Sequence, residues 1–474
     1  MNNISNVDLS VILIYLGGIF FLAYYSSRSK KSTSADEQYL AGKSLTVFES
    51  LCSIIATEVS ALTFLGIPAI AFSKDYSFIQ IYFGALIGRF FIAKIMLPLV
   101  YDQGLTIYSV MGKLGTKNAQ SAIAIFYAIN KFLAVGVRLF SGSILVSEFF
   151  SINIYIAVGL ICLITFFYTL IGGLKAVVRT DIIQMSIFVF GGLVAHYLIP
   201  QVANSEWSFL MSSAYQNGKM LFIDFSNLWP FIIGVLGGIL FDMATHGVDQ
   251  DFAQRLTANK SLKGAQLAIV SSSLLSITVA FIFLSIGSLL WSYYQLNPMP
   301  NIPADKIFAH FITTYFPVGI KGLMVAGVLA ATMSTLDSSI NALSACFYND
   351  IFYKRAKNVS VSKLKSYYLG DTLFITFVFL IIAYIASLSD GLLMFGLKIT
   401  SWTAGTLLSI FFSTLVFKIC RPSVYNIIGA YVLGALGVAL NTFYLEWNWN
   451  FNVYFGFGLS TVFLYCWDRY SIRT

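Results

Sequence analysis

The sequence is poor in charged residues and in the residues that form metal or disulfide sites. Only 11% of its 474 residues are charged, whereas soluble globular domains contain about 25%. Its five cysteines show no Cys-x-x-Cys spacing and its three histidines are dispersed. These scarcities argue against a soluble domain, a disulfide framework, a thiolate metal site and a histidine-based catalytic cluster. Instead, 58% of the residues are hydrophobic, which indicates a polytopic membrane protein and not an enzyme.

Apolar windows of about 20 residues predict where the chain crosses the membrane. They predict an all-α membrane domain over residues 1–474 with thirteen transmembrane helices joined by short loops. The predicted helices span residues 7–26, 45–72, 77–99, 120–150, 152–172, 180–203, 227–248, 264–296, 319–349, 367–389, 391–419, 424–444 and 449–467.

Lysine and arginine are concentrated in alternate loops. With the N-terminus outside, the cytoplasmic stretches hold 20 of the 29 basic residues, against Lys74, Lys219, Lys306 and Lys321 outside. Basic residues accumulate on the cytoplasmic side of membrane proteins. The sequence therefore predicts a multi-pass protein of the inner (cytoplasmic) membrane with its N-terminus outside and its C-terminus in the cytoplasm. The net charge of +8 reflects the same asymmetry, so no nucleic-acid partner is expected.

Two predicted helices combine polar residues with residues that break helices. The second contains Glu58 followed by Gly66 and Pro68, and the seventh contains three glycines before Asp242. Secondary transporters often contain inverted repeats whose first helices are both broken. The spacing fits a five-plus-five arrangement, although Gly and Pro are common in membrane helices generally. The predicted parts are an extra helix and cytoplasmic loop (1–44), two repeats (45–203 and 227–420) and two extra helices (421–474).

The ninth predicted helix contains a polar stripe in the stretch GVLAATMSTLDSSINALSA, residues 327–345. At about 100° per residue, its polar side chains fall within about 160° of one face. The stripe consists of Ser334, Thr335, Asp337, Ser338 and Asn341. Hydroxyl and carboxylate oxygens suit hard cations, whereas single hydroxyls often bond their own helix or allow close packing. Asp337 favours a binding function because carboxylates inside a membrane are expensive.

Four further intramembrane charges have to be interpreted. Arg138, at the centre of the fourth helix, either pairs with an acid or binds a substrate carboxylate. Glu58 and Asp242 are the candidate acidic partners. Asp181 opens the predicted sixth helix, where the helix dipole favours an acid.

Several motifs then resemble those of one family. The stretches YTLIGGLKAVVRTDIIQ (168–184), THGVDQDFAQRL (245–256) and LAATMSTLDSSINALSACFYNDI (329–351) are similar to signature stretches of the sodium/solute symporter family. The site pattern is nearest to bacterial sodium/sialic acid symporters. The resemblance implies a LeuT-type fold with thirteen helices and a five-plus-five inverted repeat. It also implies import of a small polar solute by alternating access, coupled to one sodium ion, with a second possible.

The resemblance further implies a sodium site between the second and ninth helices. Its ligands would be Ala56, Val59, Ala331, Ser334 and Thr335. Some sialic acid symporters have a second sodium site between the sixth and ninth helices. The matching positions here are Asp181, Ser334, Asp337 and Ser338. Asp337 replaces a serine of that site, which keeps an oxygen ligand and adds a charge.

For the solute, the resemblance points to an arginine on the fourth helix and hydroxyls on the second. The candidate substrate-binding residues are Glu58, Ser60, Thr63, Arg138 and Asp242. Glu58 stands where the sialic acid pattern has a hydroxyl, and Asp242 where the galactose pattern has an asparagine. The favoured solute carries a carboxylate that binds Arg138, such as sialic acid or another organic acid. The alternatives are a neutral sugar or polyol bound by Glu58 and Asp242 or, in another class of protein, a transporter-like membrane sensor.

Overall fold

A computed structural model of the protein describes residues 5–28, 34–353, 360–388 and 392–471, and these contain helices and no β-strand. All thirteen predicted segments are helical. The main helices are α1 (Asn6–Arg28), α2 (Val47–Glu58), α3 (Leu62–Ser73), α4 (Ile79–Val100), α5 (Lys117–Phe150), α6 (Ile154–Thr169), α7 (Leu174–Val202), α8 (Trp229–His246), α9 (Gln250–Thr257), α10 (Leu262–Leu296), α11 (Ile320–Ile351), α12 (Val361–Ala386), α13 (Leu392–Phe411), α14 (Val424–Leu445) and α15 (Asn452–Ser471).

Judged by length and composition, fewer helices qualify as membrane crossings than the thirteen that the sequence predicts. Within the described ranges, ten helices are long and apolar enough to cross a membrane, and the bent pair α2–α3 makes eleven. Of the other two predicted crossings, α6 has only 16 residues, and α15 ends in the charged pair Asp468 and Arg469. Thirteen crossings therefore remain a prediction.

Several helices begin where a hydroxyl can cap their free N–H groups. Thr46 and Glu49 form a capping box at the start of α2. Thr116 caps α5 and Ser261 caps α10 through bonds to the third residue beyond. Asp8 on α1 acts across helices, because its carboxylate accepts bonds of 2.7 and 2.8 Å from the N–H groups of residues 319 and 322 at the start of α11.

The second predicted helix is broken, as its sequence suggests. Helices α2 and α3 meet at an angle of 61°. Val59, between them, has an extended backbone (φ −77°, ψ 109°), and the N–H of Ser60 donates to Thr63 Oγ1 at 3.3 Å. The break therefore leaves backbone groups near residues 56–60 outside the regular helical pattern, where they can bind an ion or a solute.

The seventh predicted helix is continuous, contrary to the expectation of a break there. Helix α8 runs unbroken to His246, and its glycines serve helix packing. A Cβ atom on Gly238 would lie 2.3 Å from the carbonyl oxygen of Ile81 on α4, and one on Gly84 would lie 2.2 Å from that of Val235. These glycines let two backbones approach closely, which explains their presence without a break.

Helix α11 lies at the centre of the bundle. From Met324 to Tyr348 every residue is buried, and α11 packs against α1, α2, α5, α6, α7 and α9. Its polar stripe therefore faces protein on all sides and not lipid.

Candidate sodium and solute sites

A cavity beside the break between α2 and α3 contains all of the predicted substrate-binding residues. Its walls include Glu58, Ser60, Thr63, Arg138 and Asp242, which come from four helices or their junctions. The cavity measures about 120 Å³, roughly ten times the space that one buried water needs. Apolar and aromatic side chains complete the walls: Leu62, Ile67, Phe78, Ile81, Tyr82, Phe241 and Phe252. We call this the solute cavity.

One wall of the solute cavity is a charged cluster centred on Arg89, a residue to which the sequence assigns no role. Arg89 is fully buried, with Nη2 2.7 Å from Glu58 Oε2 and Nε 3.3 Å from Asp242 Oδ1. His246 Nδ1 lies 2.9 Å from the same Asp242 oxygen. Ser276 also donates to Glu58 Oε2 at 2.7 Å. Two carboxylates thus share one guanidinium, as buried charges require partners.

The contacts of His246 fit a neutral imidazole. Arg89 Nη2 lies 3.1 Å from His246 Nε2, and a guanidinium can only donate. In the tautomer in which Nε2 accepts from Arg89, Nδ1 carries the proton and donates to Asp242. In that tautomer the cluster of Glu58, Asp242, Arg89 and His246 has one negative charge in excess.

Arg138 does not pair with either predicted partner. Glu58 and Asp242 bind Arg89 instead, and no hydrogen bond or ion pair joins Arg138 to any side chain in the described part of the chain. The interpretation of Arg138 as one half of an internal ion pair is therefore wrong for this structure. Its half-buried guanidinium lies on the cavity wall, where an anionic group can bind it.

The residues predicted for the first sodium site lie at the break in the α2–α3 helix pair and on α11. Ser334 Oγ donates to the carbonyl oxygen of Ala56 at 3.0 Å, and this bond joins α11 to the end of α2. Thr335 Oγ1 donates to the carbonyl oxygen of Ala331 at 3.0 Å within α11. Val59 supplies the extended residue of the break. Carbonyl and hydroxyl oxygens from two helices therefore converge here, as a sodium site needs.

The residues predicted for the second sodium site are also close together. Asp181 Oδ1 lies 2.6 Å from Ser334 Oγ and shares the single proton of that hydroxyl with the carbonyl oxygen of Ala56, and Ser338 donates to Asp337 at 3.3 Å. Tyr168 donates to the other oxygen of Asp337. Helix α7 begins at Leu174, two turns before Asp181. The interpretation of Asp181 as an N-terminal acid is therefore wrong, because the helix starts earlier than its apolar run.

Arg255, which is not among the residues predicted for either sodium site, is fully buried among them. Its Nη2 donates to Ser338 and lies 3.4 Å from Asp181 Oδ2. Its Nε donates to Ser53 at 2.7 Å, and its Nη1 lies 2.7 Å from Asp251 Oδ1. A guanidinium thus occupies part of the coordination that the second sodium would use. The amphipathic spacing of DFAQRL places this residue on the polar face of its helix, so no signal in the sequence indicated its burial.

The same ion pairs extend to α5. Lys131 Nζ lies 2.9 Å from both Asp249 Oδ2 and Asp251 Oδ2, and Ser339 on α11 donates to Asp251 at 2.8 Å. We call the set of Lys131, Asp181, Asp249, Asp251 and Arg255 the buried ion network. It ties α5, α7, α9 and α11 together on the side of the membrane predicted to be cytoplasmic.

A second cavity lies on the side predicted to be extracellular. It measures about 390 Å³ and includes Lys74 and Asp305, which belong to predicted outside loops. Phe78 and Ile81 form part of the walls of both cavities. The solute cavity is thus adjacent to an outer vestibule, whereas the buried ion network lies on the other side.

A bundle of apolar helices around a polar cavity beside an interrupted helix is the architecture of a secondary transporter. The chain belongs to the sodium:solute symporter family, whose family model matches residues 38–431. The predicted family is thereby confirmed. Sodium is the coupling ion, and the protein is a multi-pass membrane transporter and not an enzyme. These matches give no support to a membrane sensor.

Individual relatives agree with this assignment. The sodium/sialic acid symporter NanT of Aliivibrio fischeri is 27% identical over 387 residues, 78% of this chain and 74% of that protein. The sodium/glucose cotransporter of Vibrio parahaemolyticus is 28% identical over 382 residues, 74% and 69% of the two chains. A solved substrate-bound, outward-open sodium-coupled sialic acid symporter has a TM-score of 0.87 over 98% of both chains at 20% identity. The fold is therefore shared.

Proposed function

We propose that this symporter imports a small solute that carries a carboxylate and that Arg138 binds this group. The unpaired guanidinium of Arg138 in the solute cavity carries the proposal, because a charge in apolar surroundings requires a counter-charge. Ser60 and Thr63 line the same cavity and can donate further hydrogen bonds. The relative from Aliivibrio fischeri is named for sialic acid, which contains a carboxylate.

The proposed sodium ligands are the carbonyl oxygens of Ala56, Val59 and Ala331 and the hydroxyls of Ser334 and Thr335. A sodium ion there would replace the Ser334–Ala56 hydrogen bond of 3.0 Å with stronger bonds between α11 and the break. Because Ser60 and Thr63 follow directly after that break, sodium binding would order the solute cavity. Sodium and solute would then raise each other's affinity.

The second sodium site, formed by Asp181, Ser334, Asp337 and Ser338, requires a rearrangement. Arg255 already donates to Ser338 and pairs with Asp181. A sodium ion can bind there only if Arg255 releases these groups, so one coupling ion is our primary proposal.

The topology is proposed to be that of a five-plus-five inverted repeat of the LeuT type. It would comprise residues 45–203 and 227–420, with residues 1–44 and 421–474 outside the repeats. The thirteen helical segments would place the N-terminus outside the cytoplasmic membrane and the C-terminus inside. The basic residues Lys30, Lys31, Lys354, Arg355, Lys357 and Arg473, on which this orientation partly rests, lie outside the described residues.

The energetics define what one sodium ion can accomplish. One charge that crosses 100 mV releases about 2.3 kcal/mol, and a tenfold sodium gradient adds about 1.4 kcal/mol. One sodium ion can thus concentrate a neutral solute on the order of several hundred-fold. For a monoanion the two charges cancel, and roughly tenfold remains.

Uptake into proteoliposomes tests this function. A panel of labelled carboxylates, including N-acetylneuraminate, and of neutral sugars is offered with an inward sodium gradient or with potassium in its place. We expect sodium-driven uptake of a carboxylate and none of the sugars. The matched variants are Thr335→Ala, which removes a proposed ligand and should weaken sodium activation roughly tenfold, and Thr278→Ala, an exposed helical threonine. Uptake of sugars alone would contradict the proposal.

A further inference from the structure

The solute cavity exposes an unpaired guanidinium and an unpaired carboxylate oxygen. Arg138 forms no ion pair within the described residues. Glu58, which also lines the cavity, uses only Oε2 to bind Arg89 and Ser276. Its Oε1 has no hydrogen-bond donor in the described part of the chain, and 16% of the side chain is exposed where it lines the cavity. One cation and one carboxylate oxygen are therefore both available to a bound molecule.

The charge balance of the wall that contains Glu58 leaves a place for a cation. Glu58 and Asp242 contribute two negative charges, Arg89 contributes one positive charge, and His246 is neutral in the tautomer that accepts from Arg89. This wall therefore has one negative charge in excess. In addition, Asp242 Oδ2 is buried without a hydrogen-bond donor in the described ranges. Arg138 adds one positive charge elsewhere on the cavity wall.

A simple monoanion satisfies only half of this arrangement. Its carboxylate would pair with Arg138 but would leave the excess negative charge of the Glu58 wall uncompensated in a cavity bounded by aromatic rings. Uncompensated charges in such surroundings are costly. A solute with both a carboxylate and an ammonium group compensates both walls and leaves the net charge of the cavity unchanged.

We propose that the transported solute is a zwitterion of the amino-acid class, with its carboxylate on Arg138 and its ammonium group on Glu58 Oε1. The inference rests on the proposed function and narrows its substrate class. It also agrees with the position of Arg255. This guanidinium binds residues of the second proposed sodium site, so only the first site is free to bind sodium. With one sodium ion, a net-neutral zwitterion can be concentrated on the order of several hundred-fold, whereas a monoanion reaches roughly tenfold.

Matched pairs of solutes test the inference on the wild-type protein. Each pair differs only in an ammonium or a hydroxyl group: glycine and glycolate, L-alanine and L-lactate, L-leucine and L-2-hydroxyisocaproate, L-phenylalanine and L-phenyllactate. γ-Aminobutyrate places the ammonium group farther from the carboxylate, and glycine betaine carries a bulkier trimethylammonium group. Binding is measured as a thermal shift of the purified protein in sodium, and uptake is measured with labelled members in proteoliposomes.

We expect at least one zwitterion to bind ten times more tightly than its hydroxy-acid partner and to be taken up with sodium. Equal or tighter binding of the hydroxy acids, or binding of N-acetylneuraminate and other monoanions alone, would overturn the zwitterion and leave the carboxylate function intact. Equal binding of L-alaninamide and L-alanine would contradict the role of Arg138. Response to sugars alone, or to no member of any panel, would count against both proposals.

The variant Glu58→Gln separates the contribution of Glu58 to solute affinity from that of Arg138. In Glu58→Gln, the amide oxygen can still accept from Arg89, but the negative charge is lost. We expect affinity for the amino acid to fall at least tenfold, whereas affinity for the matched hydroxy acid stays the same or rises. Glu206→Gln, on the predicted outer side, should change neither, because within the described residues the side chain of Glu206 bonds only Ser208. Loss of both affinities to the same extent would contradict the inference, and if Glu58→Gln does not fold, the wild-type pairs decide.

Discussion

The solute cavity and the cluster behind its wall contain two arginines and two carboxylates, and the buried ion network contains two basic side chains and three carboxylates. In the network every member contacts an opposite charge: Lys131 meets two carboxylates, and so does Arg255. At the cavity, Arg89 pairs with both Glu58 and Asp242, and Arg138 pairs with neither. Similar residue types therefore produce different chemistry. A network in which every member contacts an opposite charge links helices, whereas a cavity with one unpaired guanidinium can bind an anionic group.

The position of each set follows the proposed transport cycle. The solute cavity adjoins the outer vestibule through Phe78 and Ile81. The buried ion network lies on the opposite side and joins α11 to α5, α7 and α9. Access from the predicted cytoplasmic side would require these ion pairs to open. The comparison therefore predicts that charges in the network govern stability and charges in the cavity govern affinity.

The largest expected effect is on stability and comes from Arg255→Ala. This change leaves Asp181 and Asp251 with fewer partners in the protein interior, and loss of one member of a buried ion pair costs about 3–5 kcal/mol. A fall in the melting temperature of the detergent-solubilised protein measures the effect. Arg421→Ala, at an exposed position, is the control and should lie within about 0.5 kcal/mol of wild type. Equal melting temperatures for both variants would show that the network does not stabilise the fold.

The next effect concerns affinity, and Arg138→Ala should produce it. Truncation of one partner of a buried charge pair costs about 2 kcal/mol or more, so the dissociation constant for the transported carboxylate should rise at least about 30-fold. The melting temperature without solute should not fall, because Arg138 has no ion pair to lose. Binding titrations and melting curves on the same preparation separate the two quantities. Unchanged affinity would show that the carboxylate binds elsewhere.

Asp337→Ala should have the smallest effect, because the sodium stoichiometry is expected to stay the same. Because Arg255 already binds Ser338 and Asp181, we expect one sodium ion per solute in both the wild type and the variant. The variant should lose about 1–3 kcal/mol of stability, since Tyr168 and Ser338 lose an acceptor. Reversal potentials in proteoliposomes give the ratio. A ratio of two that falls to one in the variant would instead establish the second sodium site.

Local sequence patterns predicted the helices, and the family resemblance supplied the candidate residues of the solute cavity, whereas neither predicted the contacts between charged side chains. All five candidate residues for the solute line one cavity, and the break at Val59 lies where polar residues interrupt the apolar run. The predicted break in the seventh helix was wrong because glycines permit close packing as well as bending. Asp181 was misplaced because polar residues of α7 precede its apolar portion. Arg255 was not among the candidates because a charged residue near a predicted loop resembles a solvent-exposed flank.

Composition and apolar periodicity were sufficient to predict a helical membrane protein, Glu58, Gly66 and Pro68 indicated the broken helix, and short motifs carried the family resemblance, since all of these depend on residues near one another in the chain. The partners of the charged groups could not be obtained in this way. Glu58 lies near Arg89 and not Arg138, and Arg255 reaches Asp181, because helix packing sets the distance between residues far apart in sequence. Electrostatic attraction does not distinguish one arginine from another until that packing has placed them.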